Sequence, residues 1–178
     1  MTFVPKYSAA FEGPIIDNVI TIVTRDMKGA LDYFNPIEAA LPSTDPAFLA
    51  DFVERSIGTE HGFEFPIFVI GPEENTIAEA EDMSRLAEDI RITMNIGVID
   101  DTAEKAYRRC MKYVRALDSV LRSATKADYC ANMTNGNNAP FGMSKEVSHF
   151  YRALGVNDER TIYFKPATVR LTLTFDER

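Results

Sequence analysis

From Ile90 the chain alternates without a break. Ile90, Ile92, Met94, Ile96 and Val98 are separated by Arg91, Thr93, Asn95 and Gly97. Successive side chains of a strand point to opposite faces, so this spacing predicts a half-buried β-strand. The same rhythm returns at the C-terminus, where Val169, Leu171, Leu173 and Phe175 alternate with Arg170, Thr172 and Thr174. Between them the period changes. Ala103, Ala106, Tyr107, Cys110, Val114, Leu117 and Leu121 fall on one stripe at helical spacing. Asp101, three residues before Glu104, predicts a capping box at the start of that helix.

The remaining segments are read in the same way. Gly13-Pro14 marks a helix start, followed by Ile16, Val19, Ile20, Val23, Met27, Ala30, Leu31 and Phe34 at helical spacing, and Asn35-Pro36 marks its end. The prolines of the next stretch exclude a long regular element, and Asp45-Pro46 is a candidate cap for a short helix over 47–55. Phe65 to Gly71, FPIFVIG, is an apolar run of strand length whose Pro66 suits a first or edge position. Residues 72–89 are acidic and fit either a long hairpin connection or a short helix from Thr76 to Leu86. TNGNNAPFG, 134–142, reads as a polar loop. Ser144 then predicts a helix whose inner face is Val147, Phe150, Tyr151 and Leu154, closed by Gly155. The sum is one α+β domain over residues 1–178, with a mainly antiparallel sheet, helices packed on one face, a long hairpin connection and an insertion at about 36–64.

Composition narrows the classes. A 46% hydrophobic chain can bury a core, and a net charge of −8 argues against a free-standing nucleic-acid binder. No apolar run reaches the ~18 residues of a membrane helix, no signal peptide is visible at the start, and two cysteines make no disulfide framework, so a reducing cytoplasm is the default expectation. Candidate chemistry is sparse. His61 reads as a loop residue and His149 as a helix residue, with no second ligand at metal-site spacing. Cys110 lies in the apolar stripe, and Cys130 has no basic neighbour at helical spacing except Lys126, so both read as structural. Neither a catalytic pair nor a cofactor or metal motif is expected.

Two charged surfaces stand out instead. Lys105, Arg108, Arg109, Lys112, Arg115 and Arg122 occupy an arc of about 140° opposite the apolar stripe, at ~100° per residue. Glu73, Glu74, Glu79, Glu81 and Asp82 open an acidic segment that also holds Glu88 and Asp89, relieved only by Arg85. Each is a solvated face or an interaction surface, and oxygen ligands in the acidic segment leave a divalent-metal hydrolase as a competing reading. DNA contact through the basic arc is a third.

The order of elements resembles a known family. An N-terminal amphipathic helix, the Pro-led strand FPIFVI, an acidic connection, IRITMNIGVID running into AYRRCMKYVRALDSVLR, and the closing strand VRLTLTFDE together look like the tail terminator and neck proteins of tailed bacteriophages. The likeness runs from about Ile15 to the end. It implies a non-enzymatic virion protein, assembled in the host cytoplasm, that forms a ring, commonly of six subunits, on the tail tube. Its partners would be its own copies, the tail tube protein and the head–tail connector, with DNA passing through without tight binding and no membrane involved. A head-side neck or adaptor protein is the alternative within the same likeness. The acidic connection matches in position a hairpin that reaches toward a neighbour, and the basic arc of the adjacent subunit is then its expected partner.

Overall fold

The structure is a computed structural model that describes residues 12–34, 66–79, 86–131, 141–157 and 162–177. Helix α1 (Glu12–Phe34) is followed by strands β1 (Ile67–Glu79) and β2 (Leu86–Asp100), helix α2 (Ala103–Ser123), the one-turn helix α3 (Lys126–Tyr129), then β3 (Phe141–Tyr151), β4 (Gly155–Asn157) and β5 (Ile162–Glu177). The five strands form one antiparallel sheet in the order β1-β2-β5-β3, with β4 also on β5. The class is α+β.

The alternation of β2 and β5 explains the layering. Met94 pairs with Val169, Ile92 with Leu171 and Ile90 with Leu173, so their side chains share one face. That face is dry: Ile90, Ile92, Met94, Val169, Leu171 and Leu173 are all fully buried. Helices α1 and α2 cover it. Ile15, Val19, Ile22, Val23, Met27 and Leu31 of α1 and Cys110, Val114, Leu117 and Leu121 of α2 complete a single core. Burial of each large aliphatic side chain contributes on the order of 1.5–3 kcal/mol, which makes this layer the main source of stability. Tyr113 of α2 is buried too and meets Phe68 of β1 edge to face, 5.4 Å between centroids.

The start of α2 differs from the expected box. Thr102 is the N-cap and its Oγ1 accepts from the Lys105 amide at 3.2 Å, while Asp101 lies one residue outside the cap and pairs with Lys105. A hydroxyl at the cap position satisfies an orphan amide as well as a carboxylate would. α3 carries the capping box instead: the Asp128 amide donates to Thr125 Oγ1 and Asp128 Oδ2 accepts from the Thr125 amide. The fully buried Tyr129 fixes this turn, its hydroxyl donating to the Leu121 carbonyl at 2.7 Å and its own carbonyl accepting from the buried Asn18.

Of the two readings of residues 72–89 the structure has the hairpin, and one predicted helix, at 144–155, is replaced by strands. Residues 76–79 extend β1 and 86–89 extend β2, so the acidic segment is a long hairpin. The predicted helix at 144–155 is β3 and β4, with Val147 opposite Leu171 and His149 opposite Val169. Phe141 and Gly142 belong to β3 rather than to the preceding loop. α1 ends at Phe34 as expected, though it begins at Glu12, ahead of Pro14. Pro66 stands just before β1, which is an edge strand. The predicted helix at 47–55, the insertion at 36–64, His61, Glu81 and Asp82 lie outside the described residues.

Candidate interaction surface

The basic arc of α2 does not form the open cationic face that its spacing suggests. Lys105 reaches Asp101 at 2.8 Å, Arg108 reaches Glu104 at 2.7 Å, Arg109 reaches Asp100 at 3.0 Å and Arg122 reaches Asp118 at 2.8 Å. Three of these pairs are i,i+4 partners on one helix turn, which helical geometry brings together. Arg122 also donates to the Val147 carbonyl of β3. The Arg115 guanidinium sits over the Phe34 ring, 5.1 Å from its centroid. Lys112 corrects the expectation outright. It is 2% exposed and belongs to the buried side of the helix, because α1 and the sheet together enclose more of α2 than one stripe.

The acidic hairpin is likewise engaged at its base. A bulge between Pro72 and Glu74 turns Glu73 toward β5, where Arg170 holds it through two hydrogen bonds of 2.5 and 2.6 Å. The Arg170 hydrogen bonds keep the Glu73 carboxyl below the usual carboxylate range. Glu74 meets Arg91 of β2. Glu79 closes β1.

These contacts lie on the sheet face that no described helix covers. Its register brings together Thr93 with Arg170, Asn95 with Thr168 and Arg91 with Thr172, and Thr168 Oγ1 donates to Asn95 Oδ1 at 2.8 Å. The middle of the face is therefore polar, and its arginines Arg91 and Arg170 are paired with Glu74 and Glu73, while Asp89 and Glu146 share the face by register.

A further surface went unnoticed in the sequence. Of eight large hydrophobic side chains exposed among the described residues, Phe150, Tyr151, Leu154, Val156 and Phe164 lie on β3, β4, the link between them and the start of β5, and Tyr107 of α2 packs beside Tyr151; the other two are Tyr33 and Met111. Phe150 and Phe164 lie on the open side of the sheet edge, while Tyr151 packs beside Tyr107 of α2 at 6.3 Å. The break between β3 and β4 is fixed. The Arg152 amide donates to the Pro166 carbonyl at 3.1 Å, and the buried Lys165 ammonium donates to the Arg152 carbonyl beneath the Tyr107 ring. The clue lies in 150–156, FYRALGV, whose Phe150, Tyr151 and Leu154 also fit the inner face of a helix.

Groups with reactive potential stay in structural settings. Burial pushes the Cys110 thiol up to about 11 and raises Cys130 as well. His149 is exposed and leans on the Tyr151 ring, 5.6 Å between centroids. Among the described residues, no three His, Cys, Asp or Glu side chains converge on a possible metal position, and no helix is long and apolar enough to cross a membrane. No protein-family model matches the chain, and comparison with curated proteins yields no match.

Proposed function

We propose that this protein is a non-enzymatic ring subunit of a tailed-phage virion, placed at the end of the tail tube where it meets the head connector. The observation that carries the reading is the sheet face that no described helix covers. It is lined by Thr93, Asn95, Thr168, Thr172 and Thr174, and its principal charges are paired as Glu73–Arg170 and Glu74–Arg91. Turned toward the axis of a ring, such a face would wet a conduit without gripping DNA, because phosphate binding needs unpaired cations. The helix layer would then form the outer wall. The likeness of element order to tail terminator and neck proteins supports the same reading, and it covers both the tail-end and the head-side position.

The test is direct. Negative-stain images and sedimentation of the purified full chain should show closed rings, and mixing with tail tubes should give tubes capped at one end. Monomers at every concentration, with no effect on tubes, would remove the proposal. Calorimetric titration with magnesium or calcium addresses the competing hydrolase: stoichiometric binding lost on replacing Glu79, Glu81 and Asp82 would favour it.

A further inference from the structure

The exposed apolar corner has the composition of a contact site. Phe150, Tyr151, Leu154, Val156 and Phe164, with Tyr107 of α2, wrap around both sides of the sheet edge. Aromatic residues and arginine dominate the energetic centres of protein interfaces, and Arg152 lies in the middle of this group, exposed and with no ion pair among the described residues. The adjoining strand is equally available. Among the described residues β3 pairs only with β5, in unbroken register from Phe141 to Tyr151, and its sequence contains no proline. The opposite edge, β1, is interrupted by Pro72 and a bulge. Natural sheets blunt their edges with such devices; β3 has neither, and the one device it carries is the inward-facing Lys145. The hydrogen bonds that hold the Arg152 break keep the corner in one shape, so little ordering is needed on contact.

Charge indicates the occupant. Residues 73–89 hold seven acidic residues and one arginine, a net −6 out of −8 for the chain. Glu73 and Glu74 are matched within the subunit. In sequence, the distal part interleaves Glu79, Glu81, Asp82 and Glu88 with Ile77, Met83 and Leu86. Topology places this hairpin and the apolar corner at opposite corners of the sheet. The hairpin end of β2 is level with Asp176 near the end of β5, whereas the corner adjoins Ile162 to Lys165 at its start, across the sheet from β1. One subunit therefore cannot bring them together, and two can.

We infer that the β3–β4 corner around Arg152 receives the acidic β1–β2 hairpin of a second copy of this chain. The contact joins two different patches, which is what a head-to-tail closed ring requires. The inference deepens the ring reading and rests on it. It also moves the expected partner of the hairpin from the α2 arc, whose arginines are engaged at home, to the opposite corner of the sheet.

Three full-length variants test it: Arg152→Glu with Val156→Lys at the corner, Glu81→Lys with Asp82→Lys at the hairpin, and all four together. Sedimentation velocity across a concentration series should show the corner and hairpin variants associating at least about tenfold more weakly, with the combined variant recovering part of the loss. Circular dichroism melts should be unchanged, since the corner positions are exposed. Unaltered rings in the corner variant would overturn the inference and leave the ring reading standing. Loss of rings in the corner variant alone would overturn the hairpin as occupant. A lowered melting temperature with normal association would place a segment of the same subunit on the corner, which also overturns it. A wild-type chain that never assembles would remove both readings.

Discussion

The two faces of the sheet are built from the same strands and obey different rules. On the helix side, β2 and β5 contribute Ile90, Ile92, Met94, Val169, Leu171 and Leu173, all without solvent contact. On the other, the intervening residues are Arg91, Thr93, Asn95, Thr168, Arg170 and Thr172; Thr168 bonds Asn95, and the two arginines reach Glu74 and Glu73 of β1. The first face derives its energy from area removed from water, which adds up over many residues. The second exchanges water contacts for ion pairs and hydrogen bonds at nearly equal free energy, so it specifies register and surface character more than stability.

That difference predicts a ranking of substitutions. Leu117→Ala, at the centre of the helix layer, should cost about 2–5 kcal/mol in urea unfolding, since a packed site relaxes only partly around a cavity. A change in stability below half a kilocalorie per mole, roughly the noise for surface sites, would break the contrast at its strongest point. Lys112→Glu comes next. The site is buried and has partners within the fold, so a carboxylate there should cost about 2–4 kcal/mol, whereas Lys112→Met should recover most of it. A tolerated Lys112→Glu would return this residue to the solvent face.

The helix layer also has an acid-sensitive fastening. Asp128 accepts from the Thr125 hydroxyl and amide and from Arg25, and these bonds, the hydroxyl foremost, lower its pKa from 3.8 to about 2. A carboxylate whose folded pKa is depressed contributes stability above its unfolded pKa and loses it as pH falls through the folded one. The contribution should therefore be present above pH 3.8 and fade toward pH 2. Asp128→Asn should cost about 1 kcal/mol at neutral pH, as capping losses do, and should flatten that part of the pH profile. A profile identical to wild type would detach α3 from the stability of the layer.

The contrast between the faces also explains what was legible. β2, residues 169–175 of β5 and the stripe of α2 were readable because those runs of inner positions are apolar; the buried Lys165 and Lys112 fall outside them. β3 was not, because its inward positions include Lys145, His149 and Tyr151, in register with buried Leu173, Val169 and Ala167. Lys145 crosses the edge of the core with its stem and donates its ammonium to the carbonyls of Leu121, Arg122 and Ala124 at the end of α2. Desolvation there lowers its pKa. A lysine facing inward hides the two-residue period, and the chance spacing of Val147, Phe150, Tyr151 and Leu154 then imitates a helix. The candidate surface failed for a related reason. A count of cations along α2 registers neither Asp100 and Asp118, which take up Arg109 and Arg122, nor the packing that buries Lys112. The acidic hairpin was found by composition, whereas the apolar corner exists only once β3, β4 and α2 meet.

The smallest effect should come from the open face, and it sharpens the comparison best. Glu73 and Arg170 form the best-aligned ion pair on that face, with two short hydrogen bonds and the Phe150 ring stacked against the guanidinium at 5.4 Å. If geometry alone set stability, breaking this pair would rank with a core deletion. Both groups remain in contact with solvent, however, and water can replace what each loses. Glu73→Gln should therefore move the melting midpoint by no more than about 2 °C. The same substitution in 1 M salt should have less effect still, since exposed charges are screened over ~3 Å under that condition. Thr172→Ala, on the same face and without a charge, should match it. A loss for Glu73→Gln comparable to Leu117→Ala, persisting in high salt, would mean that this face is sealed from water, and the proposal would then have to change it from conduit wall to subunit contact.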